Sequence, residues 1–367
     1  QSMLWGSDAM GGVINITTKR GREKPNISGF VEYGSFNTFR EGGSLSGKKG
    51  PIDFSGSITR LDTAGFSAIN YRRGAAERDG YHNWQGSLRV GADLPRDGRL
   101  EFSFRWLEGI VNFDGFSFNP TTFASDPADV FGAGSKSTQY IYAGNYAQPI
   151  TAWWSQKLTL SRATENLVSH GGVVERNLVT GTTGTIGFPF SSQIGTTSNR
   201  VEWQHNFQVG KPLSLTAGYQ FREQRGDNRD LLTNTTTFEN KSVSSHAGFG
   251  EAQLNLWDRV FGTAGIRQDE YNAFGSATTY RVTGGYLHRE TGTKLRGSYA
   301  TGFRAPTINE LFFPGFGNPN LQPEKSQALD AAIEQTLPGD RGTISVGYFW
   351  TRSHNLIVSA FDPAVCT

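Results

Sequence analysis

The chain has 367 residues, of which 46 are glycine, 13% aromatic and 36% hydrophobic, and its net charge is +2. This near-neutral charge gives no electrostatic reason to expect a nucleic-acid partner. The single cysteine, Cys366, excludes an internal disulfide and a multi-cysteine metal site. No run of about 18 apolar residues is present, so the sequence predicts no transmembrane helix.

The first residues of the chain do not have the composition of a signal peptide. Residues 1–5 are not basic, and no apolar stretch follows them. Two glycines, Gly11 and Gly12, permit a tight turn, and residues 13–16 (sequence VINI) predict a strand that packs within a sheet.

Alternation of apolar and polar residues runs through most of the remaining sequence. It is clear at 52–59, 100–106, 213–222 and 344–348. Because successive side chains of a strand point to opposite faces, each segment has one apolar and one polar side. We count roughly fifteen strands between residues 27 and 353.

Short and long connections alternate between these strands. Short turns are predicted at 48–51, 95–98, 210–212, 257–258, 291–292 and 338–340, and long polar stretches near 63–79, 112–137, 170–195, 226–240 and 302–323. Transmembrane barrels have short periplasmic turns and long extracellular loops. Many strands reach about 10 residues, the length that crosses a bilayer at a tilt. Aromatic residues near strand ends fit interfacial girdles, although ordinary aromatic packing also explains them.

Residues 5–16 (sequence WGSDAMGGVINI) resemble the closing segment of the plug domain in TonB-dependent outer-membrane receptors. The residues that carry this match are Gly6, Ser7, Asp8, Gly11, Gly12 and Asn15. A shorter match, at 33–38 (sequence YGSFNT), is similar to the first barrel hairpin that follows the plug.

A second signature lies at 301–311 (sequence TGFRAPTINEL) and 317–326 (sequence GNPNLQPEKS). It resembles the barrel motif in which a strand ends at Gly-Phe-Arg-Ala-Pro and a loop closes before the next strand. The matching residues are Arg304, Pro306, Glu310, Pro319, Leu321, Pro323 and Glu324. The prolines predict irregular backbone at a barrel rim, and Glu324 is a possible ion-pair partner of Arg304.

The resemblance implies an all-β fold, a transmembrane antiparallel β-barrel preceded by the last strands of a plug. It divides the chain into residues 1–24, the plug end and linker, and residues 25–367, a partial barrel. The family's barrels have roughly 22 strands, so we expect a piece that lacks both termini. It further implies the TonB–ExbB–ExbD complex as a partner, reached through the plug's N-terminus, together with lipid bilayer and lipopolysaccharide.

Receptors of this family import scarce nutrients such as cobalamin, ferric siderophores or haem. The loop at 311–321 is most similar to the cobalamin-receptor branch, although iron receptors share much of the pattern. Rigid aromatic surface at Phe312, Phe313 and Phe316, with amides at Asn318 and Asn320, would suit a large planar ligand. The competing interpretation of the phenylalanines is hydrophobic filling beneath a loop.

Calcium is the one metal that the resemblance raises. Asp114, Asp126 and Asp129 share a long loop and offer the hard oxygen ligands that calcium prefers. No closely spaced Asp-x-Asp run is present, so the sequence favours solvated acids and predicts no cofactor.

Three other classes of protein compete with a receptor. A barrel enzyme needs a nucleophile with a histidine partner, but the six histidines are dispersed and no hydrolase or metalloprotease motif occurs. We therefore predict that the chain is not an enzyme. A passive porin shares the compositional features, and only the plug-like segment distinguishes it. A soluble β-sandwich or adhesin would lack the long strands.

Overall fold

The computed structural model describes residues 2–15, 19–21, 24–67, 69, 77–118, 125–172, 174–177, 183–185 and 189–358. Nineteen strands and two short α-helices, α1 (Ser2–Trp5) and α2 (Ile308–Phe312), make up its regular structure, with a 3-10 turn at Pro338–Asp340. Among these residues, no helix has the length and apolar character to cross a membrane. The fold is therefore all-β in its organisation, as predicted.

Fifteen of the strands form one antiparallel sheet, in which each strand pairs with the next one of the sheet along the chain. They are β1 (Asn26–Gly34), β2 (Thr38–Lys49), β3 (Ile52–Thr63), β4 (Tyr81–Leu94), β5 (Gly98–Asn112), β8 (Gly134–Pro149), β9 (Trp154–His170), β12 (Ser191–Val209), β13 (Leu213–Asp230), β14 (Thr235–Leu256), β15 (Val260–Tyr271), β16 (Gly275–His288), β17 (Thr293–Arg304), β18 (Glu324–Thr336) and β19 (Thr343–His354). The predicted number of strands is confirmed, and most are longer than strands of soluble sheets.

All of the predicted short turns lie at one end of this sheet. Several contain residues with a left-handed backbone, among them Gly50, Asp97 and Asp258. Positive φ at the central turn residues matches the twist of two antiparallel strands, which is why these turns connect adjacent strands so tightly. We call this end of the sheet the turn end.

The opposite end, the loop end, carries the longer connections. Two of them contain β6 (Gly115–Phe118), β7 (Ser125–Phe131), β10 (Val174–Asn177) and β11 (Thr183–Thr185), which pair as a separate four-stranded sheet. The prediction of a long loop at 226–240 was wrong: β13 and β14 continue through most of it and leave a turn at 231–234. Its polar residues occupy strand extensions, which polarity alone cannot distinguish from a loop.

The two faces of the sheet differ in chemistry. On β15, Ile266 is 58% exposed, whereas the next residue, Arg267, is 1% exposed. Large apolar residues stand on the outward face of neighbouring strands in the same way, such as Val282, Leu295 and Ile333. A soluble sheet would cover a continuous apolar face of this size, whereas a barrel presents it to lipid.

The strands β1 and β19 are the two edges of the described sheet, and every residue of both is exposed. The N-terminal segment, residues 2–15, lies on the inner face. Its predicted strand at 13–16 was wrong for Val13, Ile14 and Asn15, which are exposed and outside any strand, while Ile16 is outside the described residues. A strand needs a hydrogen-bonding partner, and no described strand pairs with these residues.

Candidate ligand-binding site

The N-terminal segment is attached to the loop end of β17. The backbone N–H of Phe303 donates to Ser2 Oγ at 3.3 Å, and the N–H of Ala305 donates to Ser7 Oγ at 2.9 Å. The N–H of Asp8 in turn donates to the carbonyl of Phe303 at 3.1 Å. Met3 is buried against the inner face of β15. These contacts bring the plug-like motif to the loop-end rim of the sheet.

Gly6 allows the N-terminal segment to approach the inner face of the fifteen-stranded sheet, which we call the wall. It has φ +79°, and an added Cβ would lie 3.0 Å from Nη2 of Arg267. Arg267 is itself buried, with hydrogen bonds of 2.8 Å to both carboxylate oxygens of Asp269 and 2.7 Å to Gln220. A side chain at position 6 would crowd the buried ion pair of Arg267 and Asp269, which cannot be displaced into solvent.

The chain that follows is held at the turn end of the sheet. Arg20 Nη2 donates to Asp93 at 2.8 Å, and its Nε donates to the buried Asp53 at 3.3 Å. Ser55 Oγ donates to the carbonyl of Lys19 at 2.9 Å. Residues 2–8 therefore lie at the loop end of the inner face, and Lys19 and Arg20 lie at its turn end.

The rim loop, residues 305–323, begins at a charged cluster. The guanidinium of Arg304 donates to both oxygens of Glu310 at 3.0 Å and to Glu324 at 2.8 Å. The pairing of Arg304 with Glu324 that the sequence suggested is therefore present. Glu310 also accepts from the backbone N–H of Thr307 at 2.7 Å, as the N3 residue of a capping box that begins α2. Partial burial would raise the pKa of Glu310, but the Arg304 and Thr307 hydrogen bonds outweigh it and lower the pKa.

Apolar packing fixes the rest of the rim loop against the inner face. Leu311 and Phe303 are almost fully buried, and they pack with Val243, Tyr271 and Ala277 of the wall strands. The ring of Tyr271 meets Phe303 edge-on at 6.0 Å and stacks on Phe274 at 4.5 Å. The loop therefore folds inward and does not extend away from the sheet.

A cavity of about 360 Å³ lies between the rim loop, the N-terminal segment and the inner face of the wall. Ser7 and Asp8 form one side, and Pro306, Thr307 and Asn309 form another. The wall strands contribute both apolar side chains, such as Ile141, Ile194 and Phe238, and polar ones. The polar residues include Gln139, Glu165, Thr196, Ser198, Arg222 and Gln224. Three acidic residues and two arginines are among the lining residues, so the lining is not cationic.

The residues predicted to bind ligand do not line this cavity. Phe312 lies beneath Lys241, whose Nζ is 5.4 Å from its ring centroid, and Phe313 meets Phe238 edge-on at 6.4 Å. Phe316, in contrast, is 88% exposed. Asn318 and Asn320 are exposed at the end of the loop, where the Asn318 side chain accepts from the Asn320 backbone. Ligand contact by these five residues stays a prediction.

The other motif residues have structural surroundings of different kinds. Gly11 and Gly12 have no atom within 4 Å of an added Cβ, and Asn15 is exposed. In the rim loop, Pro306 and Pro323 are buried, Pro319 is exposed, and Leu321 packs against the apolar cluster. The pairing of β17 with β18 ends at Arg304 and Glu324, and the prolines lie in the irregular backbone beyond it, as the sequence predicted.

A cluster of acids lies in the loops beyond β3 and β5. Carboxylate oxygens of Glu77, Asp79 and Asp114 all lie within 4.8 Å of one another. Burial, and then the charges of Asp129, Asp114 and Asp79, raise the pKa of Glu77 to about 7. Asp129 is buried, and the side chain of Asp126 is outside the described residues. The sequence identified Asp114 but missed Glu77 and Asp79, because they precede a different strand.

Sequence reasoning also missed the cavity residues of the wall. Three of these residues face inward from strands in which polar and apolar residues alternate: Arg222, Glu165 and Gln139. Their alternation identifies a polar face, but dozens of other residues share that pattern. Only the position of the rim loop shows which of them surround the cavity.

An antiparallel sheet of long strands, apolar outside and polar inside, is characteristic of an outer-membrane β-barrel. Residues 28–367 match the sequence profile of the family described as TonB dependent receptor-like, beta-barrel. The chain belongs to this family of TonB-dependent receptors, which are transporters and not enzymes, and it is a protein of the outer membrane.

Relatives and solved structures agree with this assignment. The vitamin B12 transporter BtuB of Photobacterium profundum is 25% identical over 342 residues, covering 92% of this chain and 50% of that protein. Its counterpart in Vibrio vulnificus is 24% identical, with the same coverage. The siderophore receptor PirA from Acinetobacter baumannii has a TM-score of 0.74 at 18% identity, over 96% of this chain and 56% of that one. The chain spans about half the length of these relatives.

Proposed function

We propose that this chain is part of a receptor that binds cobalamin at the loop end of the barrel and imports it with energy from TonB. The observation that carries the proposal is the cavity bounded at once by the N-terminal segment and the barrel wall. A ligand that reaches into it with one of its side groups touches both the plug-like motif and the wall. Such a position suits a transporter in which the plug must respond to the ligand. A passive porin does not require a site between a plug and the barrel.

The lining favours cobalamin over a ferric siderophore. A tricatecholate iron complex is a polyanion, which calls for several unpaired cations. Here each arginine has an acid nearby: the Asp8 carboxylate lies 4.0 Å from Arg222, and Arg225 donates to Glu223 at 2.9 Å. Cobalamin carries many amides and one phosphodiester, which match the amide and hydroxyl groups of the wall. The two similar vitamin B12 transporters support the same ligand.

The partners of the proposed receptor follow from its transport cycle. The TonB–ExbB–ExbD complex pulls on the plug from the periplasmic side after the ligand has bound. The outward apolar face contacts lipid, and the charged residues beyond it contact lipopolysaccharide.

Tryptophan fluorescence of the receptor purified in detergent tests the proposal. The protein is titrated separately with cyanocobalamin, a ferric tricatecholate and a ferric hydroxamate, with free tryptophan as the control for absorbance by the ligand. We expect a saturable response to cyanocobalamin alone. A response only to a ferric complex would contradict the cobalamin assignment and leave the receptor class intact, whereas silence with all three would favour another nutrient or a passive pore.

A further inference from the structure

We infer that Asp8, a residue of the plug-like motif, contacts the ligand and selects against polyanions. This inference deepens the proposed function and rests on it. Asp8 would act together with Arg222, which faces it from β13, so that one ligand contacts both the N-terminal segment and the barrel. It assigns a binding role to a residue that the sequence motif marks only as structural.

The backbone of Asp8 is held in an unusual conformation. Its φ is +75°, in the left-handed region that side chains other than glycine rarely adopt. Its own hydrogen bond to Phe303 and the neighbouring one from Ala305 to Ser7 Oγ hold it there. Backbone strain of this kind persists where surrounding structure enforces it, and it is concentrated at functional sites.

The side chain of Asp8 is directed into the cavity and remains available. It is 58% exposed, and its Oδ2 lies 4.0 Å from Nη1 of Arg222, which is 29% exposed. A direct charge-assisted hydrogen bond would be about 2.7–2.9 Å long, so the two groups are not fully engaged with each other. Among the described residues, neither side chain makes a closer polar contact. Both can therefore form hydrogen bonds to a ligand that enters between them.

A second carboxylate faces the same space from the wall. Glu165 accepts from Ser137 Oγ at 3.0 Å and from Gln139 Nε2 at 2.9 Å through one oxygen, Oε1. The cavity thus presents the carboxylates of Asp8 and Glu165 together with the guanidinium of Arg222. Amide N–H groups of a neutral ligand suit the carboxylates, and a single phosphodiester or carbonyl suits Arg222. A triply charged anion meets repulsion from Asp8 and Glu165.

The substitution Asp8→Asn tests this inference with little change in shape. Asparagine adopts the left-handed backbone at least as readily as aspartate, so the segment keeps its path. Asp97→Asn is the matched control, because Asp97 has φ +57° in an exposed turn at the opposite end of the sheet. Binding of cyanocobalamin and of a ferric tricatecholate is measured for the wild-type receptor and both variants. Arg222→Gln and the double variant complete a cycle that reports the coupling of positions 8 and 222.

We expect Asp8→Asn to weaken cyanocobalamin binding about tenfold, the loss of one charge-assisted hydrogen bond. The same variant should bind the ferric tricatecholate several-fold better than wild type, and Asp97→Asn should change neither. Equal affinities of wild type and Asp8→Asn for both ligands overturn the inference, provided that the variant has wild-type circular dichroism. If wild type does not bind cyanocobalamin, the proposed function fails. Selection against polyanions by Asp8 is still tested in that case. It is supported if Asp8→Asn binds the tricatecholate several-fold better than wild type, and it is overturned if tricatecholate binding is unchanged.

Discussion

Arg304 and Glu310 form a two-pronged ion pair across the start of the rim loop, with two parallel hydrogen bonds of 3.0 Å. The same guanidinium also donates a hydrogen bond to Glu324 at 2.8 Å. One side chain at the end of β17 therefore holds both the helix that opens the loop and the strand that follows it. Planar, forked recognition of this kind is specific to arginine.

We expect Arg304→Lys to loosen the rim loop, because an ammonium group cannot form two parallel bonds and also reach Glu324. The nearly buried Glu324 would lose its partner, so local opening should become easier by about 1–3 kcal/mol. The measurement is the rate of protease cleavage within residues 305–323, which should rise roughly 5- to 100-fold.

The control for this experiment is Arg259→Lys. Arg259 pairs with Glu290 at the turn end, where both side chains are exposed, so the change should cost less than about 0.5 kcal/mol. Equal cleavage of the rim loop in wild type and Arg304→Lys would show that the pair does not hold the loop.

Gly6→Ala should detach the N-terminal segment from the wall. The new Cβ meets Arg267 at 3.0 Å and the backbone has φ +79°, so the cost combines crowding of a buried charge with backbone strain. We expect a loss of about 2–4 kcal/mol in the free energy of unfolding measured with urea. Gly50→Ala, with φ +59° and no atom within 4 Å, isolates the backbone contribution and should cost about 1 kcal/mol. Equal losses would mean that contact with Arg267 is unimportant.

The acidic cluster should make stability depend on pH. The pKa of Glu77 is raised to about 7, so its contribution to stability is complete at low pH and is lost as the pH rises through 7. Calorimetry of wild type and Glu77→Gln should give thermal midpoints that diverge between pH 5 and 8, with the variant higher by roughly 2–4 °C at pH 8. Parallel curves would contradict the shifted pKa. Repeating the scan with calcium tests the sequence-based expectation that no ion binds there.

Substitution of neighbouring residues on β16 tests which face meets lipid. Val282 stands on the apolar outward face, and Thr283 faces the interior. Val282→Arg should lower the free energy of unfolding in lipid bilayers by about 2–4 kcal/mol, the cost of an arginine near the centre of a membrane. Thr283→Arg should have a small effect because its side chain enters the wet interior. The reverse order of effects would invert the assignment of the two faces.

Much of the fold follows from local sequence patterns. Alternation at 213–222 identifies a strand and separates its outward residues from its inward ones, because side-chain direction is a local property of extended backbone. Tight turns such as the one at Trp257 and Asp258 follow from short gaps between alternating segments. The motif residues Arg304 and Glu324 even indicate their own ion pair. Local pattern failed at 226–240, where polar strand extensions have the composition of a loop.

The site was decided only by tertiary structure. Alternation marks Arg222 and Glu165 as inward-facing, but it cannot say that the rim loop folds over them and not over other strands. Likewise, the motif identifies Asp8 without showing that its carboxylate faces Arg222. That meeting depends on the hydrogen bonds of Ser2 and Ser7 to β17 and on the packing of Leu311 and Phe303. A chain encodes strand faces over a few residues, whereas contacts across a lumen depend on how distant segments pack together.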